Sequence, residues 1–124
     1  MNKSAQECTA EEVVQRQLIA YNEQNYEEFA SCYLEDIISY HLETSLIDLE
    51  MSGSKFFDHY REKFTNNPNL HCRVTNRMVH KNLIVDHEIL SGYNNRNFTD
   101  LVIYQVDDGK ISKMWFTKLL PMDD

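Results

Sequence analysis

The second half of the sequence reads as four strands in succession, and this feature limits the fold more than any other. Polar and apolar residues alternate over roughly 70–80, 82–91, 98–106 and 110–118. The last connection contains Asp108-Gly109, a pair that tolerates the positive φ of a tight hairpin turn. Because strands joined by short connections pair with their neighbours in opposite directions, the pattern predicts an antiparallel meander.

The first half carries helical signals. Thr9 and Glu12 have the spacing of a capping box at the start of a first helix. Asn25 is a suitable N-cap for a second helix. A third helix is predicted to start after Ser52 or Ser54 and to end in the Asn-Asn-Pro stretch.

Two further strands are predicted between the second and third helices, over 37–43 and 46–51. The order is then α-α-β-β-α-β-β-β-β, an α+β fold in which an antiparallel sheet packs on three helices. A chain of 124 residues suits one domain. We therefore expect a single domain over 1–124, with residues 1–8 as a flexible N-terminus.

The charge balance excludes several classes of partner. Lysines and arginines total 12 against 20 acids, and the net charge is −8. Binding to phosphate backbones or to anionic membranes needs clustered cations, which this chain lacks. We expect no nucleic-acid partner and no membrane association. The polar N-terminal stretch has no apolar core of a secretion signal, and the expected location is the cytoplasm.

The cysteines and histidines do not form a metal-binding motif. Cys8, Cys32 and Cys72 are widely spaced and contain no C-x-x-C pair, which argues against a disulfide scaffold or a zinc site. No two histidines have the spacing of metal ligands on a helix. We expect neither a metal nor another cofactor.

The stretch "LIVDHEILSG" in the second predicted strand of the meander places an acid, a histidine and a second acid in a row. A turn at 81–82 would pair Asn76 with His87 on a mostly apolar face, which we take as the inner one. His87 and Asn76 could contact a ligand there, or could be a satisfied core pair. The opposite, mixed face carries a predicted charge pair and a further acid: Arg77, Asp86 and Glu88.

Several stretches resemble the nuclear transport factor 2-like superfamily, which includes ketosteroid isomerase and the SnoaL-type polyketide cyclases. They are "VVQRQLIAYNEQNYEEFASCYLEDI", "MSGSKFFDHYREKF", "NRMV", "IVDHE" and "IYQVDDGKISKMWF". The resemblance covers about residues 9–118. It implies a cone-shaped fold, with a strongly curved sheet wrapped on the helices around a pocket. It also implies homodimers through the outer face of the sheet.

The isomerase chemistry of that superfamily uses a carboxylate base, a tyrosine and a protonated acid. The match places Gln17 at the tyrosine position and His41 at the base position, and a histidine is a competent base. The second acid falls at Asp100, or at Val102 if the last turn shifts the register. These changes mean that classical steroid isomerase activity is not expected.

The orientation of the first strand stays open at this stage. Alternation in "IISYHLE" places Tyr40 and His41 on opposite faces. Burial alone would turn Tyr40 inward, whereas the resemblance turns His41 inward. The side chains predicted to line the pocket and bind substrate are mainly aromatic: Gln17, Tyr21, Tyr40, Tyr60, Asn76, Tyr104 and Trp115.

Two functions fit these features. The first is an isomerase, cyclase or dehydratase that acts on a small, largely apolar, carbonyl-bearing substrate. His41 or His87 would be its acid/base, with Asp100 as a third catalytic candidate. The second is a non-catalytic ligand-binding, sensing or interaction module of the same fold. Turnover of a bound ligand would distinguish them.

Overall fold

The computed structural model describes residues 8–43 and 51–122, which form three helices and six strands. The elements are α1 Ala10–Asn22, α2 Tyr26–Ser31, β1 Tyr33–His41, α3 Ser54–Asn66, β2 His71–His80, β3 Leu83–Tyr93, β4 Arg96–Asp107, β5 Lys110–Phe116 and β6 Leu120–Pro121. None of the described helices is long and apolar enough to cross a membrane.

The first two helices begin where the sequence predicts. The Thr9 hydroxyl accepts a hydrogen bond from Glu12 N at 3.1 Å, and the Glu12 carboxylate accepts one from Thr9 N at 3.2 Å. This reciprocal pair is the predicted capping box. The Asn25 side chain likewise accepts a hydrogen bond from Glu28 N at 3.2 Å. Both predicted N-caps are confirmed.

The start of α3 differs from the prediction of a serine cap. Its N-cap is Gly53, with φ of 56° and no side-chain capping bond, instead of Ser52 or Ser54. A glycine adopts this left-handed conformation without a Cβ penalty. Gly53 N donates to Ile37 O at 2.9 Å, which fixes the start of α3 against β1. The predicted strand over 46–51 lies outside the described residues, except for Met51.

The sheet is mixed and strongly curved, with strand order β1-β5-β4-β3-β2 and β6 paired with β4. Strands β2 to β5 form the predicted antiparallel meander. Strand β1 pairs with β5 in parallel, so the prediction of a wholly antiparallel sheet was wrong at this edge. A parallel pair needs a long crossover, and here the crossover contains α3 and the rest of the meander.

The β2–β3 hairpin has the predicted turn and, near it, the predicted register. Asn76 pairs with His87, as expected from a turn at 81–82. A register shift then places Val74, instead of Thr75, opposite Glu88. Thr75 is thus the extra residue of a β-bulge, a feature that local alternation does not predict.

The predicted inner face of this hairpin was wrong. The side chains of β3 that pack toward the helices are Ile84, Asp86, Glu88 and Leu90, all buried, whereas His87 is exposed on the outer face. The Arg77 guanidinium donates two hydrogen bonds to the Asp86 carboxylate, at 2.7 and 2.9 Å. Pairing therefore allows a charged residue, Asp86, to be 1% exposed on the helix-facing side.

An aromatic cluster joins α2 and α3 to β1. The Phe29 ring lies 4.9 Å from Tyr33, 5.1 Å from Tyr60 and 5.2 Å from Phe64, centroid to centroid. Phe56 extends the cluster through Tyr33 at 4.9 Å. These contacts hold the helices against one end of the concave sheet, and an open volume remains beside them.

The end of α3 is also tied to the β3–β4 turn. Asn67 Nδ2 donates to Lys63 O at 2.8 Å, and its Oδ1 accepts from Asn94 N at 2.9 Å. Gly92, with φ of 72°, lies so close to the chain that a Cβ there would be 2.2 Å from Asn69 O. We call this contact between 67–70 and 92–94 the Asn67 clasp.

Candidate functional site

A cavity of about 570 Å³ lies between the concave face of the sheet and the helices. This volume is within the roughly 300–1,000 Å³ of small-molecule sites. Most of the wall is apolar or aromatic, including Leu18, Tyr21, Phe29, Tyr33, Met51, Tyr60, Leu90, Tyr93, Val102, Tyr104, Met114, Phe116 and Leu119. The polar wall residues include Gln17, His41, Lys63, Cys72, Glu88 and Asp100.

Two carboxyl groups lie next to each other on this wall. Glu88 of β3 and Asp100 of β4 are direct cross-strand partners, and their side chains are hydrogen-bonded. Burial, followed by the charge of Asp100, raises the pKa of Glu88 well above its usual value. Burial also raises the pKa of Asp100, against the opposing effects of the Glu88 hydrogen bond and the Lys63 charge. In both acids, therefore, burial favours the protonated form of the carboxyl group.

One oxygen of this pair has no hydrogen-bond donor in the part of the chain that the structure describes. Asp100 Oδ1 is buried, and no amide, hydroxyl or cationic donor of the described residues reaches it. An ionised carboxylate only accepts hydrogen bonds, so two ionised acids cannot satisfy each other. A proton carried by the pair, or a ligand that donates to Asp100, removes this deficit.

A chain of three hydrogen bonds ends at the same pair. Tyr33 Oη donates to Gln17 Oε1 at 2.9 Å, Gln17 Nε2 donates to Tyr104 Oη at 3.4 Å, and Tyr104 Oη donates to Glu88 Oε2 at 3.4 Å. All three hydrogen bonds are donated in the same direction along this chain, which ends at Glu88. Burial raises the pKa values of Tyr33 and Tyr104 well above the usual range, so both phenols stay protonated. The side chain of Gln17 contacts the acid pair through Tyr104.

Lys63 of α3 brings a positive charge to this wall. Its Nζ lies 4.8, 5.1 and 5.7 Å from the ring centroids of Tyr93, Tyr60 and Tyr21. Burial lowers the pKa of Lys63, while the charges of Asp100 and Glu88 raise it in part. Lys63 therefore places an amine on the same cavity wall as the carboxyl pair.

His41 and Tyr40 leave β1 on opposite faces. His41 lines the cavity, and its ring lies 4.7 Å from that of Phe116. Tyr40 stacks on Trp115 on the outer face, with ring centroids 5.5 Å apart and an interplanar angle of 13°. Tyr40 and Trp115 were predicted to bind substrate, and this prediction was wrong because the buried residues of β1 include Ile37 and Ser39, which share the face of His41.

His87 and Asn76 also lie outside the cavity, which contradicts their predicted contact with a ligand. Both are exposed on the outer face. The His87 ring is held between two hydroxyls, through Nδ1 to Thr75 and through Nε2 to Thr99 at 3.1 Å. The bulge at Thr75 brings its hydroxyl to the ring.

The cavity thus brings together six of the residues named from the sequence: Gln17, Tyr21, His41, Tyr60, Asp100 and Tyr104. Val102, the alternative to Asp100, lines it as well. Sequence reasoning missed Lys63 as a site residue and assigned Glu88 to the wrong face. Tyr60 and Lys63 are three residues apart on a helix and share a face, a signal that could have identified the lysine.

Metal-binding side chains do not cluster in the described part of the chain. No group of three or more His, Cys, Asp or Glu residues there has the geometry to hold a metal ion. The polar chemistry that the structure displays at this site is that of the carboxyl pair, the lysine, His41 and the tyrosines.

Solved structures share this fold, although the sequences have diverged. A candidate ketosteroid isomerase from Kribbella flavida has a TM-score of 0.73 and 16% identity, over 93% of this chain and 78% of that one. An uncharacterised cystatin-fold protein from Novosphingobium aromaticivorans has a TM-score of 0.78 and 14% identity, over 90% and 99%. A SnoaL-like polyketide cyclase from Agrobacterium tumefaciens has a TM-score of 0.72 and 14% identity, over 90% and 91%.

No protein-family model matches the sequence, and no curated protein is significantly similar to it. The fold predicted from the resemblance is nevertheless confirmed: the chain has the cone-shaped α+β fold of the nuclear transport factor 2-like superfamily. Because this fold supports many activities, function has to be argued from the cavity.

Proposed function

We propose that this protein is an enzyme of the isomerase or cyclase type that moves a proton next to the carbonyl group of a small, largely apolar compound. The observation that carries the proposal is the hydrogen-bonded pair of Glu88 and Asp100 on the wall of an apolar cavity. A carboxyl group that stays protonated at neutral pH can donate to an oxygen on which negative charge develops.

Asp100 is the member of the pair that would meet the carbonyl oxygen. With a proton on Asp100, its carboxyl donates a hydrogen bond to the substrate and stabilises the enolate. Glu88 then accepts the hydrogen bond of Tyr104. The low polarity of the wall strengthens these interactions relative to water.

His41 is proposed as the base that takes the proton from carbon. In the register of the sheet, His41 pairs with Phe116, and Phe116 pairs with Val102. Asp100 precedes Val102 by two residues and lies on the same face of β4. A ligand lying on Val102 and Phe116 would therefore have Asp100 near one end and His41 near the other.

The structural neighbours are consistent with this chemistry. They include a SnoaL-like polyketide cyclase and a candidate ketosteroid isomerase. At 14–16% identity they support the fold, and the residues of the cavity support the reaction class.

The test is the exchange of carbon-bound hydrogen in an apolar ketone such as 2-heptanone, followed by NMR in D₂O. The wild type should accelerate exchange next to the carbonyl. His41→Ala should slow it by about 10²–10⁴-fold, the usual contribution of a general base. His87→Ala is the matched control, because this histidine lies on the outer face, and it should exchange at the wild-type rate.

The binding-module alternative makes the opposite prediction. If carbonyl compounds that bind to the wild type show no accelerated exchange, the enzyme proposal is wrong and the cavity only binds. Equal loss in the His41 and His87 variants would remove the assignment to His41.

We also propose that a second copy of the chain covers the outer face. One row of cross-strand neighbours is apolar across five strands, running Met78, Val85, Ile103, Trp115 and Tyr40. Met78 is 66% exposed. A two-fold axis would place such a row against itself.

Light scattering after size-exclusion chromatography tests this assembly. Ile103→Glu should convert a dimer to a monomer, whereas Glu35→Lys, at an exposed position of β1, should not. A monomeric wild type at high concentration would contradict the dimer.

A further inference from the structure

We propose that Lys63 is a nucleophile that forms a covalent imine with the carbonyl carbon of a ligand in the cavity. This inference rests on the proposed function in one respect: the cavity must accept a carbonyl compound. It adds a covalent step that none of the residues assigned above would carry out.

The amine of Lys63 lies on the wall of the cavity, where a ligand can contact it. Lys63 lines the cavity, and its Nζ is surrounded by the rings of Tyr21, Tyr60 and Tyr93. Within residues 8–43 and 51–122, Nζ makes no hydrogen bond or ion pair. No such partner has to be displaced before the amine contacts a ligand.

Burial of Lys63 favours the neutral form of its amine. Nucleophilic attack needs the neutral amine, and burial favours that form by lowering the pKa of Lys63. The carboxylates opposite act in the other direction. Burial also raises the pKa values of Glu88 and Asp100, which reduces the negative charge that the lysine faces.

The carboxyl pair also supplies the proton transfers. The nitrogen lone pair forms the N–C bond while the carbonyl oxygen takes a proton, giving a carbinolamine. The C–O bond then breaks, and the oxygen leaves as water after a second protonation. The net change is Lys–NH₃⁺ plus R₂C=O to Lys–NH⁺=CR₂ plus H₂O, so atoms and charge balance without an oxidant or reductant.

The three tyrosine rings suit the product as well as the resting state. An iminium keeps its positive charge at the nitrogen and the adjoining carbon. Rings that contact the ammonium at 4.8–5.7 Å therefore also attract the iminium. The remaining carboxylate charge of the pair balances it, and the apolar wall accommodates the alkyl groups of the ligand.

Reductive trapping tests the proposal. The protein is incubated with 2-heptanone and sodium cyanoborohydride, which converts an imine to a stable secondary amine, and peptides are analysed by mass spectrometry. We expect one adduct, on Lys63, and less of it when 2-heptanol competes for the cavity. Labelling should increase with pH as the neutral amine becomes more abundant.

Three variants separate the nucleophile from a merely structural cation. Lys63→Arg keeps a positive charge among the rings and should lose the adduct. Lys63→Met removes both the amine and the charge and should lose the adduct as well. Lys55→Arg is the matched control on the exposed part of the same helix and should keep the adduct. Circular dichroism checks that each variant folds.

The outcomes distinguish this inference from the proposed function. Accelerated hydrogen exchange in the wild type with no adduct on Lys63 would overturn the imine and leave the enzyme proposal standing. An adduct on Lys63 without exchange would establish the nucleophile and contradict the proposed proton transfer. Labelling spread equally over the exposed lysines would also overturn the inference.

Discussion

Glu88 and Asp100 face each other across β3 and β4, hydrogen-bonded on the wall of an apolar cavity. The pair sits between a donor chain that ends at Tyr104 and the ammonium group of Lys63. Burial at this position favours the protonated form of both acids.

Replacing each acid in turn should show that Glu88 and Asp100 contribute differently to the exchange rate. Asp100→Asn removes the group proposed to touch the substrate and should slow ketone hydrogen exchange by about 10²–10⁴-fold. Glu88→Gln should reduce the rate less, because Asp100 remains. Asp108→Asn, at an exposed turn, is the control. Equal rates in wild type and Asp100→Asn would contradict the assignment.

The acid pair should make the protein less stable as pH rises from acid to neutral. The folded pKa of Glu88 lies above its usual value of 4.5, so the folded state binds the extra proton in that window. The contribution of Glu88 to the free energy of unfolding is therefore fully present below pH 4.5. It is lost as the pH rises through the folded pKa, at up to about 1.4 kcal/mol per pH unit.

Urea unfolding at several pH values measures this dependence. Glu88→Gln should reduce the change in unfolding free energy between acid and neutral pH. A wild type whose unfolding free energy rises across the same window would show that the carboxyl group is ionised in the folded state.

The buried Arg77–Asp86 pair should respond strongly to the loss of one partner. Arg77→Leu leaves the carboxylate of Asp86 buried without its guanidinium, at a cost of about 3–5 kcal/mol. The double variant with Asp86→Leu should recover much of this loss, because no unpaired charge remains. Denaturant midpoints of the four proteins in the cycle measure the coupling, and purely additive losses would exclude it.

Gly92→Ala should destabilise the fold more than Gly53→Ala. Both glycines have positive φ, 72° and 56°, and that strain costs about 1–3 kcal/mol. A Cβ at Gly92 would additionally meet Asn69 O at 2.2 Å, while one at Gly53 has open space around it. Similar melting temperatures for the two variants would mean that the backbone at Asn69 moves freely.

Local signals in the sequence were sufficient for the starts of α1 and α2 and for the antiparallel meander. The capping box at Thr9, the cap at Asn25 and the turn at 81–82 depend on neighbouring residues, and all three are present. The parallel pairing of β1 with β5 joins distant parts of the chain. Its direction depends on the crossover, which alternation within one strand does not specify.

The faces of β3 were assigned incorrectly because charge was taken as a sign of exposure. Asp86 is buried because Arg77 neutralises its charge, and Glu88 is buried in the cavity as one member of a pair of acids. Asp100, the second member, comes from the next strand. An ionisable residue therefore says little about its own burial until its partner is known.

The Asn67 clasp has a consequence for how the cavity can change size. It connects the last turn of α3 to the β3–β4 turn through Lys63 O, Asn67 and Asn94. At Gly92 the two backbones are in such close contact that no side chain fits. The clasp thus fixes the position of the tyrosine-lined end of the cavity. A bulkier ligand must be accommodated by movement of the opposite end, where His41 and residues 117–119 form the wall.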